Sequence, residues 1–239
     1  MTFPLQDLPL DFPAPLGQPA PSMARPNLYE DPEFRRVAGP TLRPGGLALT
    51  ARGLDACDLR QGALVLDIGC GTGASAALAR SRGLRAVGLD ASEALLREAR
   101  GEHPGLLFMG GAAEGLPLRD NLCDAVLCEC VLSLSGEPDH AVAEFRRVLK
   151  PGGSLILTDI FLRQPPSKGA TIPTTLPRTL TGTGMKSCIE GAVSRAAITA
   201  RLMRQGFDIL LFEDHSRLLA DLAVSESKTS STHYKSNSM

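Results

Sequence analysis

The sequence predicts an α/β fold built on a doubly wound, mostly parallel sheet. Short apolar segments alternate with helical patterns through the middle of the chain, and these apolar segments are nearly free of polar side chains. A glycine-rich loop joins the first apolar segment to a helix. Unbroken apolar strands are typical of parallel sheets that helices cover on both faces. In such sheets ligands bind beyond the carboxyl ends of the strands.

The predicted elements follow each other in a regular order. Strands are expected at 64–68, 85–89, 106–109, 125–130, 154–160 and 207–212. Helical patterns lie at 74–82, 92–100, 138–149, 192–205 and 217–223. Two shorter helices, at 31–37 and directly after Gly45 and Gly46, are expected before the first strand, where such a segment often forms a lid or packs on the sheet edge.

The ends of the chain differ in composition from its middle. Positions 1–27 contain seven prolines, which predicts a flexible arm. Positions 28–224 form the predicted domain, within which 163–187 is expected to be a long loop. The polar stretch 225–239 predicts a disordered tail.

The composition argues against several classes of function. A formal net charge of -1 over 239 residues gives no broad attraction to nucleic acid or to a membrane surface. No apolar run approaches the roughly 20 residues that cross a bilayer. The six cysteines lack the paired spacing of zinc sites, so we predict reduced thiols, no metal site and a cytoplasmic protein. We expect a monomer or homodimer that acts on a small molecule.

The loop after the first strand carries the clearest chemical signal. Gly69, Gly71 and Gly73 alternate with other residues, which allows a sharp turn and close approach of a ligand to the backbone. The helix that follows offers unpaired N–H groups at its start. Asp90 ends the second strand, where a carboxylate can accept hydrogen bonds from both hydroxyls of a ribose.

Two ligands are compatible with this pattern. Residues 71–76 fit the G-x-G-x-x-A pattern of a dinucleotide site, whereas 67–73 fit the acid-x-Gly-x-Gly-x-Gly pattern of an S-adenosylmethionine site. Asp67 would repel a pyrophosphate that came close to the loop, but it would attract the ammonium group of S-adenosylmethionine. The charge at Asp67 therefore favours S-adenosylmethionine.

Five segments together resemble the class I S-adenosylmethionine-dependent methyltransferases. In order they are 65–73, Asp90, 113–117, 123–126 and 145–153, so that the resemblance covers about 61–159. It implies a Rossmann-like class I methyltransferase fold and a cofactor site. The site it implies comprises Asp67, Gly69, Cys70, Gly71, Thr72, Gly73, Asp90, Ala91, Ala112, Ala113 and Glu114.

The resemblance also assigns parts of the cofactor to parts of this site. Asp67 and the glycine loop would hold the methionine end, Asp90 the ribose, and the segment 112–114 the adenine. The family usually has an aspartate where Ala112 stands, so the acceptor for the adenine amino group must come from Glu114, a backbone carbonyl or water. Family sheets close with an antiparallel strand; here we expect six strands, with that last strand absent or poorly formed.

The methyl acceptor is the more open question. Cys130 and Cys188 lie in segments that resemble the arsenite methyltransferase branch, whose thiols hold trivalent arsenic. As(III) is soft and prefers thiolates, and its lone pair needs no general base to attack a methyl group. That branch has a further cysteine upstream of the glycine loop, where this chain offers only Cys57 in no matching motif. Alternatively, both cysteines are small buried apolar residues.

Other assignments stay open beside the arsenite prediction. Glu129 ends the fourth strand and is a candidate to orient the acceptor or bind the methionine amine, so it joins Cys130 and Cys188 as a catalytic candidate. Tyr29 is a candidate to close over the cofactor. A quinone-like or other small molecule methylated on carbon or oxygen is the alternative substrate. A non-catalytic S-adenosylmethionine-binding protein is the alternative function, and Ala112 is the feature that favours it.

Overall fold

A computed structural model of the chain describes residues 27–163 and 188–218. The predicted arm up to position 26, the predicted loop from 164 to 187, the end of the predicted helix 217–223 and the tail 225–239 lie outside the described residues.

The centre of the molecule is a five-stranded sheet in which all strands run parallel. Its strands are β1 Leu64–Ile68, β2 Arg85–Asp90, β3 Leu107–Gly110, β4 Cys123–Glu129 and β5 Leu149–Thr158. Their spatial order is β3-β2-β1-β4-β5, so the chain winds outward from β1 and then returns to its other side. A crevice for a ligand is expected at this reversal, between β1 and β4. The doubly wound fold predicted from the sequence is therefore confirmed.

Helices cover both faces of this sheet. They are α1 Pro32–Ala38, α2 Gly46–Asp55, α3 Ala74–Ser81, α4 Glu93–Glu102, α5 Pro138–Val148 and α6 Arg195–Arg204. Two single 3-10 turns lie at Leu28–Glu30 and Leu132–Leu134. Within the described ranges, no helix has the length and apolar character needed to span a membrane.

Two apolar clusters hold the helices against the sheet. Alternate side chains of a strand point to opposite faces, so Leu66 packs on the side of α5, against residues such as Phe145, while Val65 packs on the side of α3 and α4. Both faces of β1 are therefore buried, which explains its unbroken apolar pattern.

A third apolar cluster forms what we call the cap, residues 27–45 together with 188–192. The buried members of this cluster are Leu28, Phe34, Leu42, Cys188 and Ile189 from the cap and Leu95 from α4. The cap is tied to α4 by an ion pair between Arg35 and Glu98 and by a hydrogen bond from Ser92 Oγ to Glu30 Oε1 of 2.8 Å. Segments from both ends of the described chain thus meet above the sheet.

The prediction of a sixth strand at 207–212 was wrong. Residues 207–212 pair with no strand of the sheet, and Leu210 is 92% exposed. The segment is instead held by Phe212. Its ring packs edge-on against Phe161, with 5.9 Å between the ring centroids, and the Cζ atom of Arg195 lies 3.8 Å above its ring centroid. An apolar sequence is not enough for a strand when no neighbouring edge accepts its backbone. Among the described residues no antiparallel strand joins the sheet.

The start of β5 and a short additional strand pair also differ from the prediction. The Lys150–Gly153 turn lies inside the start of β5, where a register shift between Cys123 and Ala125 absorbs it. A short parallel pair, β6 Phe161–Leu162 with β7 Val193–Ser194, precedes α6 and was not predicted.

Candidate functional site

A cavity of about 380 Å³ lies at the carboxyl ends of β1, β2 and β4, beneath the cap. The predicted site residues that border it are Asp67, Gly69, Cys70, Gly71, Thr72, Asp90, Ala91, Ala112, Ala113, Glu114, Glu129 and Cys130. Gly73 and Cys188 are not among the bordering residues. Gly73 caps the start of α3, and Cys188 lies in the cap.

The glycine loop forms the floor of this cavity. Gly69 has a φ of +68°, and a Cβ at this position would collide with the side chain of Val131. Its N–H donates to the carbonyl of Leu89 at 2.7 Å, which fastens the loop to β2. The loop therefore depends on glycine both for its backbone conformation and for its distance to the segment after β4.

Asp90 is oriented by the backbone around it. Its Oδ2 accepts from the N–H of Gly71 and its Oδ1 from the N–H of Ser92, both at 2.8 Å. Burial raises the pKa of Asp90, and these hydrogen bonds act in the opposite direction. The carboxylate is thus held at the edge of the cavity, where a ligand hydroxyl would meet a fixed acceptor.

Asp67 is the least satisfied polar group of the site. Its side chain is buried, and the backbone N–H of Ala76 donates to it. Its Oδ2 has no hydrogen-bond partner among the described residues. Desolvation and the nearby carboxylate of Glu129 raise its pKa to about 8. Leaving a buried polar oxygen unpaired is costly, so this oxygen indicates a ligand that forms hydrogen bonds with it. The ammonium group of S-adenosylmethionine meets that requirement.

Glu129 is held in a buried ion pair. Its Oε2 accepts from Arg43 Nη2 at 2.6 Å, from Ser75 Oγ at 2.9 Å and from Thr50 Oγ1 at 3.0 Å. The side chains of Arg43 and Glu129 are each only 4% exposed. These three donors hold the carboxylate of Glu129 in place, and its role in orienting the acceptor or binding the methionine amine stays a prediction.

Sequence reasoning missed the three partners of Glu129. Arg43 comes from the cap, Thr50 from α2 and Ser75 from the first turn of α3. Arg43 and Glu129 are 86 positions apart, and no local pattern relates them. Only the packing of the cap over the sheet brings this cation to the cavity.

Glu114 is also committed within the protein. Its Oε1 accepts from the hydroxyl of Ser135 and from the N–H of Gly136. Burial works against the charged form of Glu114, but these hydrogen bonds outweigh it and lower its pKa. Ala112 and Ala113 line the cavity beside it. Glu114 thus fastens the segment after β4, and the acceptor for the adenine amino group stays a prediction.

The two predicted thiols lie together. Cys130, Cys188 and the hydroxyl of Tyr29 lie close enough to shift one another's pKa values. Donation from Cys130 and Tyr29 lowers the pKa of Cys188 although burial opposes this. Cys130 and Tyr29 border the cavity, whereas Cys188 lies behind them.

The backbone around the thiol pair is unusual. Cys130 has a φ of +57°, which is uncommon for a residue other than glycine and is concentrated at functional sites. Its N–H donates to the carbonyl of Thr158 at 2.7 Å. A Cβ on Gly191 would collide with the carbonyl of Ser133, so the turn that carries Cys188 lies directly against the end of β4.

The cap closes the cavity over the glycine loop. The hydroxyl of Thr72 donates to the carbonyl of Pro40 at 3.1 Å, and the side chain of Leu42 lies above Gly71. Asn27, Tyr29 and Arg43 add polar atoms to the same wall. The segment 27–45 therefore covers the cavity, whereas α2, for which a lid and packing on the sheet edge were the two alternatives, packs against β5 through Gly53 and Leu54.

Comparison with known proteins agrees with this geometry. Residues 66–157 match the family described as a methyltransferase domain. Over 106 residues the chain is 39% identical to the demethylmenaquinone methyltransferase of Renibacterium salmoninarum, a match that covers 44% of this chain and 45% of that protein. It is 36% identical over 106 residues to the demethylmenaquinone methyltransferase of Paenarthrobacter aurescens, covering 44% and 42%. The chain thus spans less than half the length of these curated relatives.

Solved structures establish the fold over a longer stretch. Phosphoethanolamine N-methyltransferase 2 of Haemonchus contortus, in complex with S-adenosyl-L-methionine, superposes with a TM-score of 0.63 at 19% identity, covering 84% of this chain and 46% of that one. The [4+2]-cyclase SpnF superposes with a TM-score of 0.61 at 24% identity, covering 88% and 87%. Together with the match of residues 66–157 to a methyltransferase domain, these superpositions show that the chain has a Rossmann-like methyltransferase fold.

Proposed function

We propose that this protein transfers a methyl group from S-adenosylmethionine to a small-molecule acceptor. The observation that carries the proposal is the free Oδ2 of Asp67, which is buried at the cavity beside the glycine loop. Asp67 would hold the ammonium group, Asp90 the ribose and the segment 112–114 the adenine. The cofactor, when bound, supplies an electrophilic methyl group on a positively charged sulfur. The protein's task is then to align the acceptor with it, which can supply about 7–11 kcal/mol in well-oriented systems.

The cavity favours an acceptor that needs no general base. Glu129 is paired with Arg43, Glu114 with Ser135, and Asp90 with the backbone of Gly71 and Ser92. No histidine is among the residues that border the cavity in the described part of the chain. A carbon or oxygen acceptor would require a group that removes a proton, whereas a soft nucleophile would require only positioning.

A thiol-held metalloid such as As(III) is one candidate acceptor. It is supported by the contact between Cys130 and Cys188, with Tyr29 beside them at the cavity wall. A lowered pKa makes Cys188 the readier thiolate, which is the form that binds soft ions. Cys188 lies behind Cys130, so a metalloid bridging the two would reach the cavity on the Cys130 side.

A quinone-like acceptor is the second candidate. It is supported by the two demethylmenaquinone methyltransferases, which match this chain at 39% and 36% identity over 106 residues each. It has the weaker support from the site itself, because the carboxyl group that has a free oxygen there, Asp67, is the one proposed to hold the ammonium group of the cofactor. Production of S-adenosylhomocysteine distinguishes both candidates from a protein that only binds the cofactor.

A methyl-transfer assay with mass detection tests these proposals. The protein is incubated with S-adenosylmethionine and separately with arsenite, small thiols and a demethylmenaquinol analogue. Methylated arsenic supports the metalloid, and a methylated quinol supports the alternative. If S-adenosylhomocysteine binds but no acceptor yields it, the protein is a cofactor binder instead.

Cysteine variants make the metalloid test specific. Cys130→Ser and Cys188→Ser are each expected to lower arsenite turnover by about a hundredfold, because the acceptor would lose one of its two ligands and its alignment. Cys57→Ser is the matched control, since Cys57 is half-buried and does not border the cavity. Unchanged arsenite turnover in both site variants would rule out the thiol-held acceptor.

A further inference from the structure

The charges around Asp67 do not balance within the protein. Glu129 faces it from β4, Asp90 from β2, and Arg43 from the cap. The thiols of Cys70, in the glycine loop, and Cys128, on β4, lie within its field and are uncharged, because burial raises the pKa of both. One guanidinium therefore faces three carboxyl groups.

That guanidinium is already engaged. Arg43 Nη2 lies 2.6 Å from Glu129 Oε2, and its Nη1 donates to the carbonyl of Gly46 at 2.8 Å. Asp90 has two backbone donors. Among the residues that the structure describes, the backbone donor to Asp67 is the N–H of Ala76, and its second oxygen is buried and unpaired. Of the three carboxyl groups, Asp67 is the one that the protein stabilises least as an anion.

When no ligand is present, protonation of Asp67 is the simplest way to neutralise its carboxylate. A buried carboxylate without a paired cation shifts toward its neutral form, because desolvation penalises the charged one. The same reasoning applies in reverse when an ammonium group enters the cavity, since its positive charge and three N–H donors stabilise the carboxylate.

We propose that Asp67 carries a proton in the cofactor-free protein and releases it to solvent when the ammonium group of the cofactor binds. This inference rests on the proposed function and goes beyond it by assigning a proton to the binding step. The balance is simple: the O–H bond of Asp67 breaks, the proton goes to solvent, and the carboxylate pairs with the ligand's ammonium group. No electron transfer is involved.

The exchange makes cofactor affinity depend on pH. Below about pH 8, binding must first remove the proton, so the affinity rises by up to about tenfold for each pH unit. Above that pH, Asp67 is already ionised and the affinity stops rising, and it falls again where the ligand's own amino group loses its proton. A ligand that lacks the ammonium group does not stabilise the anion and has no such dependence.

Isothermal titration calorimetry of the full chain measures the proton directly. S-Adenosylhomocysteine is the probe, because it carries the ammonium group and does not react. Methylthioadenosine is the matched ligand, because it keeps the adenine and the ribose but lacks the amino-acid end. Each ligand is titrated at about pH 6.5 and about pH 9 in buffers whose heats of protonation differ, which gives the number of protons exchanged.

We expect S-adenosylhomocysteine to release about one proton at the lower pH and none at the higher, where the exchange that remains is uptake of a proton by the ligand's own amino group. Methylthioadenosine should release none through Asp67 at either pH, and any proton released from Asp90 would appear with both ligands and cancel in the comparison. Asp67→Asn should abolish the difference between the ligands, whereas Asp90→Asn should retain it. Should Asp67→Asn not fold, the comparison of the two ligands on the unaltered protein still decides the matter.

The outcomes separate this inference from the function on which it rests. Binding of S-adenosylhomocysteine with no proton release at about pH 6.5 would overturn the inference and leave the cofactor site intact. Equal proton release with both ligands would also overturn it, since the amino-acid end would then have no part in the exchange. Absence of any binding would overturn both.

Discussion

At the scale of single residues, the site is defined by the buried charged groups under the cap and by which of them form an ion pair. Arg43 neutralises Glu129 in a pair that is almost fully buried. Asp67 lies beside this pair with one oxygen unpaired. A buried ion pair adds little net stability when both partners are present, but removing one partner leaves an uncompensated charge. Arg43 therefore matters for stability as well as for the cavity wall.

Replacement of Arg43 by methionine is expected to lower the free energy of unfolding by about 3–5 kcal/mol, because Glu129 stays buried without its cation. Urea denaturation followed by circular dichroism measures the change. Arg100→Met is the control, since it breaks a pair whose side chains are 44% and 62% exposed, and it should cost less than about 1 kcal/mol. Equal losses in the two variants would contradict this assignment.

The glycine loop allows a second residue-scale prediction. Gly69→Ala and Gly62→Ala both place a side chain at a positive φ, of +68° and +77°, which costs about 1–2 kcal/mol. Only at Gly69 does the new Cβ also collide with Val131, whereas nothing lies near Gly62. Both variants should lose stability, but only Gly69→Ala should weaken binding of S-adenosylhomocysteine, by about tenfold or more. Calorimetric titration of both variants is the test, and similar affinities would count against the loop as the cofactor cradle.

At the scale of elements, α4 connects the cofactor edge of the sheet to the cap. Ser92 caps this helix by accepting from the N–H of Leu95 at 3.1 Å. The same hydroxyl donates to Glu30 in the cap, and the backbone N–H of Ser92 donates to Asp90. Ser92 thus contacts the end of β2, the first turn of α4 and the cap. A serine before a helical pattern predicts the first contact, but not the link to Glu30, which is 62 positions away.

Ser92→Ala is expected to cost about 1 kcal/mol in unfolding free energy, since the helix loses its N-cap. It should also weaken binding of S-adenosylhomocysteine, because the cap loses an anchor. Ser194→Ala is a matched variant: it removes the N-cap of α6, where Ser194 accepts from Ala197 at 3.2 Å away from the cavity. Its loss of stability should be similar and its ligand affinity unchanged. Comparable affinity losses in both variants would refute the anchoring role.

At the scale of the whole molecule, Asp67 ties the stability of the protein to pH. Its pKa rises from an ordinary 3.8 to about 8 on folding. Between these values the folded state binds a proton that the unfolded state has lost, so the free energy of unfolding falls as pH increases. The Asp67 contribution is complete below about pH 4 and is lost by about pH 8.

In the absence of cofactor, Asp67→Asn should therefore raise stability, and by more at about pH 8 than at about pH 5. Asp124→Asn gives the opposite sign, because hydrogen bonds from Lys150 and Leu64 outweigh burial and lower the pKa of Asp124. Its loss of stability at neutral pH should shrink as the solution is acidified. Denaturant titrations at the two pH values measure both differences. A gain for Asp67→Asn that is equal at both pH values would show that Asp67 is ionised throughout.

Much of the fold was predictable because its signals are local. The apolar run, Asp67 and the alternate glycines of β1 and its loop lie within ten positions, and Asp90 follows at the end of the next strand. The segment 207–212 was not predictable in this way, because its apolar residues satisfy a strand pattern but find no sheet edge. The contact of Cys130 with Cys188 had been suggested by a family resemblance and not by spacing.

The sequence by itself determined the strand, loop and helix that cradle the cofactor, since side-chain alternation, glycine geometry and helix capping act between residues a few positions apart. Only the tertiary structure decided which hydrogen-bond and ion-pair partners Asp67 has. The cap brings Arg43 across 86 positions to Glu129 and leaves the second oxygen of Asp67 buried without a partner. The reason is physical: ion pairing and desolvation depend on which distant segments pack together, and no local pattern in the chain encodes that packing.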